Sequence, residues 1–304
     1  ATPCYHSPMS RPKKALSQNF LSDPRILARI ADAVDLGPGD TVLEIGPGRG
    51  GLTRELLKRA KRVIAIEMDE ELAAALEVGA ANDPRPTTHD PRLIAHDSRL
   101  TIHIGDALDL DWHALAGRDY VICGNIPYHI TSPLIDKALQ PPRARRVVFL
   151  MQKEVADRIA APPGGETYGA LTIGVQSVAR VEKLFVVAKG SFNPVPKVDS
   201  AVVRFTPLEH PLIRDREVAG FRRFTVGMFS YRRKQLARGI RELTGFSADQ
   251  ATRVITHALA SMPLDGAEVY PPVARPTFSP DSRPEQVAPL GFVSLYRAVV
   301  EAGW

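Results

Sequence analysis

The chain has 304 residues, of which 44% are hydrophobic, and a formal net charge of +5. This length and composition allow a large core in one or two domains, and the mild positive excess suits a polyanionic partner without identifying one. The sequence has neither the roughly 20 consecutive apolar residues of a membrane span nor an apolar signal core near residue 1. We therefore expect a cytoplasmic protein with no membrane partner. Its two cysteines, Cys4 and Cys123, indicate no disulfide or metal framework.

The first predicted element with chemical meaning is a buried strand at Thr41–Ile45, followed by a glycine-rich turn and by helical spacing of apolar residues. Glycines let the backbone approach a ligand closely, and a helix N-terminus offers unpaired N–H groups. Gly46, Gly48 and Gly51 also fit the dinucleotide-binding pattern, so the turn alone does not separate cofactor classes. Glu44, an acid inside the strand, favours S-adenosylmethionine (SAM), because SAM sites commonly use such an acid to hold the methionine ammonium end.

Two further predicted strands end in carboxylates. The strand at residues 62–66 ends in Glu67, twenty-one residues beyond the first glycine of the turn. A carboxylate at that spacing is suited to both hydroxyls of a ribose. The strand at Leu100–Ile104 leads to Asp106 and Ala107, where the carboxylate could accept a hydrogen bond from the cofactor's adenine amine.

The next predicted strand leads directly into an Asn-Ile-Pro-Tyr sequence that is suited to methylating a planar amine. The exocyclic amine of adenine is a poor nucleophile, and the Asn125 amide oxygen with the Ile126 carbonyl could accept both its hydrogens and free its lone pair. Pro127 would stiffen the turn, and the Tyr128 ring would stack on the base. A simple Asn/Pro turn is the alternative. Phe192, at the start of a later proline-rich loop, is either a loop anchor or the second face of a base sandwich.

Polar groups thus follow four successive predicted strands, and the carboxyl ends of parallel strands meet at one edge of an open α/β sheet. For each acid alone, a solvated strand end is the commoner explanation, but four such groups in register argue against it. We therefore predict an α/β fold, a Rossmann-like sheet of a SAM-dependent methyltransferase, in preference to a dehydrogenase.

Strand and helix continue to alternate as far as Pro207. We predict a fifth strand at residues 146–150, a helix at 152–160, and a closing antiparallel pair at 183–187 and 200–205. Two prolines between the members of that pair predict a rigid loop.

No β-like run follows, which predicts a small all-helical C-terminal domain. The predicted domains are residues 1–206, a SAM-binding catalytic domain with a basic N-terminal arm, and residues 207–304, a helical RNA-binding domain. Residues 271–289 are proline-rich and predict an extended connector before a final helix over roughly 291–300.

Positive charge is concentrated between Arg222 and Arg241, a stretch with seven Lys or Arg and no Asp or Glu. Apolar residues recur there at helical spacing, so we predict an amphipathic helix or helix pair, with Tyr231, Lys234, Arg238 and Arg241 on one face. A solvated basic face is the default for such a run, whereas the adjoining adenine chemistry favours binding to a phosphate backbone. The candidate RNA-binding residues are Arg222, Arg223, Arg232, Arg233, Lys234 and Arg238.

A near repeat of His-Asp at residues 89–90 and 96–97 could be a metal site or a duplicated surface loop. Because it lacks a tight ligand pattern, we expect no metal.

Five segments together resemble the ribosomal RNA adenine N6,N6-dimethyltransferases, and most closely their KsgA-type branch, which modifies small-subunit rRNA. They are residues 18–21, 44–48, 124–128, 151–155 and 192–203. The resemblance implies dimethylation from SAM of two adjacent adenines in the 3′-terminal hairpin loop of 16S rRNA during subunit assembly. The implied partners are small-subunit rRNA and the immature small subunit, and we expect a monomer. By similarity, the residues lining the cofactor site are Asn19, Leu21, Gly46, Glu67, Asp106 and Asn125.

The resemblance extends to residues 229–234, which match the Phe-x-x-Arg-Arg-Lys of the KsgA-type helical domain and argue against the antibiotic-resistance methyltransferases of large-subunit rRNA. The chain departs from the family at His129, where Asn is usual, and in a longer segment near residues 78–99. Two other functions stay open: a non-catalytic assembly or transcription factor on the same fold, and a DNA adenine methyltransferase that flips its base.

Overall fold

The computed structural model describes residues 19–77, 98–262 and 278–304, and the chain divides into two compact units. The first takes in the described parts of residues 1–138 with 142–153 and 184–204, and the second takes in the rest. Residues 154–183 group with the carboxyl-terminal helices, so the two units do not divide the chain at one point. The predicted boundary at 206/207 stays a prediction about functional domains. The basic N-terminal arm and the His-Asp repeat lie outside the described residues.

Nine strands occur in the described residues. They are β1 (Phe20–Leu21), β2 (Thr41–Ile45), β3 (Arg62–Glu67), β4 (Leu100–Ile104), β5 (Val121–Asn125), β6 (Arg146–Gln152), β7 (Ala179–Val187), β8 (Phe192–Asn193) and β9 (Ser200–Pro207). Seven of them form a sheet in the order β4-β3-β2-β5-β6-β9-β7, in which the pairs from β4 to β6 are parallel. The predicted α/β fold is confirmed, and the predicted closing strands β7 and β9 are neighbours.

Eleven α-helices occur in the described residues. They are α1 (Pro24–Val34), α2 (Gly51–Leu57), α3 (Glu70–Glu77), α4 (Trp112–Ala116), α5 (Thr131–Ala138), α6 (Lys153–Ile159), α7 (Ala170–Gln176), α8 (Val218–Ser230), α9 (Leu236–Thr244), α10 (Ala248–Ala260) and α11 (Pro289–Glu301). The longest have 13 residues, fewer than the roughly 20 that a membrane span requires. None of these helices can therefore cross a membrane.

Strand order reverses between β2 and β5, which lie side by side although β3 and β4 separate them in the chain. Ligands of open α/β sheets bind at the carboxyl ends of the strands at such a point. The approach of these two strands depends on Gly124, which faces Ile45 in the register. A Cβ at Gly124 would lie 2.5 Å from the Ile45 carbonyl oxygen, so a larger residue would push the strands apart where the site forms.

Helix α1 covers one face of this sheet. The Asp23 side chain caps it by accepting a hydrogen bond from the Arg25 N–H at 2.9 Å, and Pro24 suits its first turn. Its apolar face buries Leu27 and Ile30 in a cluster with residues of the sheet. Directly before it, β1 pairs antiparallel with β8, which sets Leu21 opposite Phe192.

The second unit is helical after Pro207 in the described residues, as predicted. The predicted helix pair is α8 and α9, and the predicted final helix is α11. Helix α8 ends at Ser230, and a turn over 231–234 separates it from α9. The prediction that Tyr231, Lys234, Arg238 and Arg241 share one helical face is therefore wrong, because the first two belong to neither helix.

Candidate cofactor and target-base site

A cavity opens in the first unit at the carboxyl ends of β2, β3 and β5, and its empty space, including part of the open mouth, is about 1180 Å³. All nine predicted cofactor residues line this cavity: Asn19, Leu21, Glu44, Gly46, Gly48, Glu67, Asp106, Ala107 and Asn125. Ile126, Pro127 and Tyr128 line it too.

The glycine-rich turn forms one wall of the cavity in a backbone conformation that requires glycine. Gly46 and Gly48 have φ of 68° and 55°, values in the left-handed region that side chains disfavour. A Cβ at Gly48 would also lie 3.0 Å from ring carbons of Phe20. The Phe20 ring in turn lies under the Arg49 guanidinium, whose Cζ is 4.5 Å from the ring centroid. The residues just before α1 are thus packed against the turn.

Glu67 lies at the end of β3 and is 6% exposed. Its two carboxylate oxygens accept hydrogen bonds from the N–H groups of Gly48 and Asp69, each at 3.0 Å. Burial raises the pKa of Glu67, and these backbone donors oppose the shift. Each carboxylate oxygen can accept a further hydrogen bond, so the group can hold the glycine turn and still accept from two ribose hydroxyls.

Glu44 is the most deeply buried acid of the cavity, with 1% of its surface exposed. Its Oε2 has no hydrogen-bond partner among the described residues. Burial raises the pKa of Glu44 to about 8, and the negative charge of Glu67 adds to this rise. The Thr53 hydroxyl lowers the pKa of Glu44, although the Thr53 Oγ1 atom has no partner in hydrogen-bond geometry among the described residues. A buried carboxylate oxygen without a partner is costly, and a cationic ammonium group would satisfy it. The site therefore fits the methionine end of SAM.

Asp106 and Ala107 follow β4 in a loop that other side chains hold. The Asp106 carboxylate accepts from the Leu108 N–H at 2.8 Å, and the Trp112 indole N–H donates to the Ala107 carbonyl at 2.8 Å. Lys137 donates to the carbonyls of Leu108 and Leu110 at 2.6 and 2.7 Å. These bonds fix the loop that presents the predicted adenine contact.

Asn125 ends β5, and its amide is oriented by the chain segment before α1. The Nδ2 atom donates to the Asn19 carbonyl oxygen at 3.0 Å. Because the amide nitrogen is used in this way, Oδ1 is the atom of Asn125 that remains to accept from a substrate in the cavity. The next residue is fixed as well, since the Ile126 N–H donates to the Leu150 carbonyl at 3.1 Å.

Tyr128 begins a short 3-10 helix after Pro127, which has the extended φ and ψ of −60° and 134°. Its hydroxyl lies 2.7 Å from Oγ of Ser200, the first residue of β9. Burial raises the pKa of Tyr128, so the phenol is neutral at physiological pH. Tyr128 and Asn125 both line the cavity.

Phe192 is placed differently from the other candidates. It is 3% exposed and belongs to the hydrophobic cluster of α1 and the sheet, and it does not line the cavity. Its burial supports the loop-anchor alternative. A base sandwich with Tyr128 stays a prediction.

The candidate RNA-binding residues lie in the second unit and are not equivalent. Arg222, Arg223, Arg233, Lys234 and Arg238 are exposed. Arg238 lies 3.5 Å from Glu242 on the same helix. Arg232 is partly buried; its Nε donates to Glu285 at 2.6 Å, and its guanidinium donates to the Glu166 carbonyl at 2.7 Å. These interactions give Arg232 a structural role in addition to any role in binding.

Several cavity residues are not among the sequence candidates. Met68 lines the cavity with half of its side chain exposed, and its position directly after the strand-end Glu67 is a signal that could have identified it. His129 lines the cavity as well and adjoins the Asn-Ile-Pro-Tyr sequence. Phe20 and Arg49 also line the cavity and contact each other, and Tyr128 contacts Ser200, which does not line it. These contacts join segments distant in sequence, so no local pattern indicates them.

Comparison with known proteins gives the family. A family profile described as "Ribosomal RNA adenine dimethylase" matches residues 9–263. The chain is 36% identical over 298 residues to "Ribosomal RNA small subunit methyltransferase A" of Geobacter metallireducens, covering 96% of this chain and 97% of that protein. It is 36% identical to the protein of the same name from Pseudomonas aeruginosa, covering 96% of each.

Two solved structures have the same overall fold. A dimethyladenosine transferase from Plasmodium falciparum is 27% identical, with a TM-score of 0.68 over 90% of this chain and 95% of that one. The 23S rRNA methyltransferase ErmE is 26% identical, with a TM-score of 0.64 over 93% of this chain and 100% of that one. Together with the profile and the cavity, these matches show that the chain is a SAM-dependent methyltransferase and belongs to the ribosomal RNA adenine dimethylase family.

Proposed function

We propose that this enzyme transfers methyl groups from SAM to the N6 amine of adenine in small-subunit rRNA and forms N6,N6-dimethyladenine. The observation that carries the proposal is the Asn125 amide, whose nitrogen is bound by the Asn19 carbonyl and whose oxygen therefore remains for the target amine. Relatives of 36% identity over nearly the whole chain are named for the small subunit, which favours this rRNA over that of the large subunit.

The cofactor supplies a methyl group activated on a positively charged sulfur. Glu44 would accept from its ammonium group, Glu67 from its ribose hydroxyls, and Asp106 from its adenine amine. Leu21, Gly46, Gly48 and Ala107 would contribute backbone and apolar contact around it. The unpartnered Oε2 of Glu44 supports this orientation, because a cationic donor would satisfy it and stabilise the ionised carboxylate.

The chain activates the amine by accepting its hydrogens. Asn125 Oδ1 and the Ile126 carbonyl would each accept one N–H, which draws the nitrogen towards tetrahedral geometry and frees its lone pair. Preorganised acceptors of this kind stabilise the transition state more than the ground state. Each transfer would form an N–CH₃ bond as the S–CH₃ bond of the cofactor breaks, and the amine would lose one proton to solvent. After the first transfer one N–H remains, so a single acceptor must orient the amine for the second. Pro127 fixes the turn and Tyr128 holds the base by stacking.

The remaining parts of the proposal concern the RNA. We infer that residues 1–206 form the catalytic domain and residues 207–304 the RNA-binding domain, in which the exposed Arg222, Arg223, Arg233, Lys234 and Arg238 bind phosphates. The substrate would be two adjacent adenines in the 3′-terminal hairpin loop of 16S rRNA within an immature small subunit. The enzyme would act as a cytoplasmic monomer without a membrane partner.

The test is to incubate the protein with labelled SAM and, separately, immature small subunits, naked 16S rRNA, large-subunit rRNA and duplex DNA. We expect label in the small-subunit substrates, recovered after nuclease digestion as N6,N6-dimethyladenosine. Asn125→Ala provides the inactive control. Label confined to large-subunit rRNA or to DNA would contradict the substrate, and no label in any of the four would contradict catalysis.

A further inference from the structure

We propose that Ser200 is a positioning residue for methyl transfer: its hydroxyl holds the Tyr128 phenol so that the ring meets the target adenine at a fixed place. The proposal rests on the proposed function, because it assigns Tyr128 to the target base. It adds a residue from β9, outside the four strand ends that form the cofactor site.

The contact has good geometry, and one of its partners is fully buried. The two hydroxyl oxygens lie 2.7 Å apart, the normal distance for an O–H···O hydrogen bond. Ser200 is 0% exposed. Tyr128 itself lines the cavity. A residue of the ligand site thus has its hydroxyl held by a buried side chain of another strand.

Both partners stand on backbone that other hydrogen bonds fix. On one side, the Thr131 hydroxyl donates to the Tyr128 carbonyl at 3.1 Å, and the Ile130 N–H donates to the Pro127 carbonyl at 3.2 Å. On the other side, the Asp199 carbonyl accepts from the Lys153 N–H at 3.0 Å. The bond therefore joins two supports that are held independently of each other.

This arrangement predicts an effect on chemistry rather than on cofactor binding. A phenol hydroxyl lies on the long axis of its ring, so anchoring the hydroxyl fixes where the ring points. Misplacement of a stacking group by about 1 Å can cost on the order of a hundredfold in rate. A merely structural role, in which Ser200 satisfies a buried hydroxyl, would instead lower stability and leave the kinetics of the folded enzyme unchanged.

The experiment is a double-mutant cycle with Ser200→Ala, Tyr128→Phe and the double variant, assayed for methyl transfer to the small-subunit substrate that wild type modifies. Each single change deletes the same hydrogen bond and keeps the ring. We expect each to lower kcat about tenfold, the double variant to be no slower than the slower single variant, and SAM affinity by calorimetry to stay within about twofold. Ser177→Ala is the matched control, because Ser177 is also fully buried but its hydroxyl has no partner among the described residues.

The outcomes separate the alternatives. A normal kcat in Ser200→Ala, or effects that multiply in the double variant, would contradict the proposal, because Ser200 would then not act through Tyr128. A lower melting temperature with normal kcat would show a structural role only and would also overturn it. If Ser200→Ala does not fold, Tyr128→Phe with normal kcat overturns the proposal alone. A wild type that modifies none of the small-subunit substrates would contradict the proposed function itself, and the inference would fall with it.

Discussion

Two acids of the cavity are buried, whereas most of the basic candidates in the second unit are exposed to solvent. Glu44 and Glu67 are nearly inaccessible to water, so each needs a specific partner to be ionised. Arg223, Arg233 and Lys234 are exposed and need none, because solvent and salt screen them. Placement to within tenths of an ångström matters for the first group, whereas phosphate binding depends mainly on how many charges approach the backbone.

Mutations in the two regions should therefore have different effects. Changes at the cavity should alter one step, cofactor binding or methyl transfer, with little dependence on salt. Changes on the basic surface should weaken binding to any RNA, in proportion to the charges removed. Arg232 is an informative exception, because it lies in the basic run but is held by Glu285 and by a backbone carbonyl, like a cavity residue.

The largest effect is expected at Asn125. Replacing Asn125 with Ala removes an acceptor of the target amine, and deleting one such preorganised group typically costs on the order of 10²–10³ in kcat. RNA affinity should be unchanged, which single-turnover rates and filter binding on the same variant would measure. Asn125→Asp provides a second variant, because it keeps an acceptor but removes the donor to the Asn19 carbonyl. Near-normal turnover in Asn125→Ala would contradict the activation of the amine by Asn125.

Glu67→Gln should mainly affect the cofactor. The change replaces a charged acceptor by a neutral one for the ribose and for the Gly48 and Asp69 N–H groups. Hydrogen bonds to charged groups contribute about 1.5–3 kcal/mol each, so SAM should bind on the order of a hundredfold more weakly in calorimetry. Glu70→Gln, an exposed acid three residues further on, should leave the affinity unchanged. Equal affinities for the two variants would exclude Glu67 from the ribose contact.

The positions of the main cavity residues could be predicted from the sequence. Glu44, Glu67, Asp106 and Asn125 lie at or near the carboxyl ends of strands. Because parallel strands end at one edge of a sheet, spacing alone brings these residues together. The register shows how this works: Glu67 ends β3 and Asn125 ends β5 on either side of β2, each one residue beyond the partner of Ile45. Local patterns were sufficient here because backbone geometry, not side-chain packing, determines the place of each group.

Contacts between distant segments could not be predicted in this way. Tyr128 and Ser200 are 72 residues apart, and Arg232 and Glu285 are 53 apart, so no periodicity relates them. Phe192 was ambiguous for the same reason, because only the packing of β8 on β1 decides whether its ring faces the cavity or the core. The one-face prediction for the basic run failed because helical spacing continues in the sequence across the turn at 231–234, where the helix does not.

The basic surface should respond to salt. Replacing Arg233 and Lys234 with Ala should weaken RNA binding about tenfold to a hundredfold, and flatten the slope of log affinity against log salt by about 0.7–0.9 for each phosphate that the variant no longer neutralises. SAM affinity should not change. Arg232→Ala is the internal comparison: it should lower the free energy of unfolding in urea by about 1 kcal/mol, because its ion pair is only partly buried. An unchanged salt slope in the double variant would remove these two residues from the RNA interface.

The smallest effect concerns protons at Glu44. Its pKa of about 8 means that the carboxyl is largely protonated at neutral pH without the cofactor. The ammonium group of SAM would favour the ionised form, so binding should release a proton and tighten as pH rises, by at most about tenfold per pH unit. The range to measure is about pH 6–7.5, because an α-amino group has a pKa of about 7.7–8.0 and loses its own charge above it.

Folding without SAM should show the opposite sign. A pKa raised from 4.5 to about 8 means that the native state binds the proton more tightly than the unfolded chain, so this stabilisation is complete below about pH 4.5 and disappears as pH rises through 8. Glu44→Gln is neutral at every pH and should flatten both curves. Part of each pH dependence should persist in Glu44→Gln, because burial also raises the pKa of Glu67. In the wild type, the positive charge of Arg54 opposes the rise in the pKa of Glu44. Calorimetry of SAM binding over about pH 6–7.5 measures the first curve, and urea unfolding from about pH 4.5 to 8 measures the second. If wild type and Glu44→Gln follow the same pH dependence in both, Glu44 neither holds the ammonium group nor carries the buried proton.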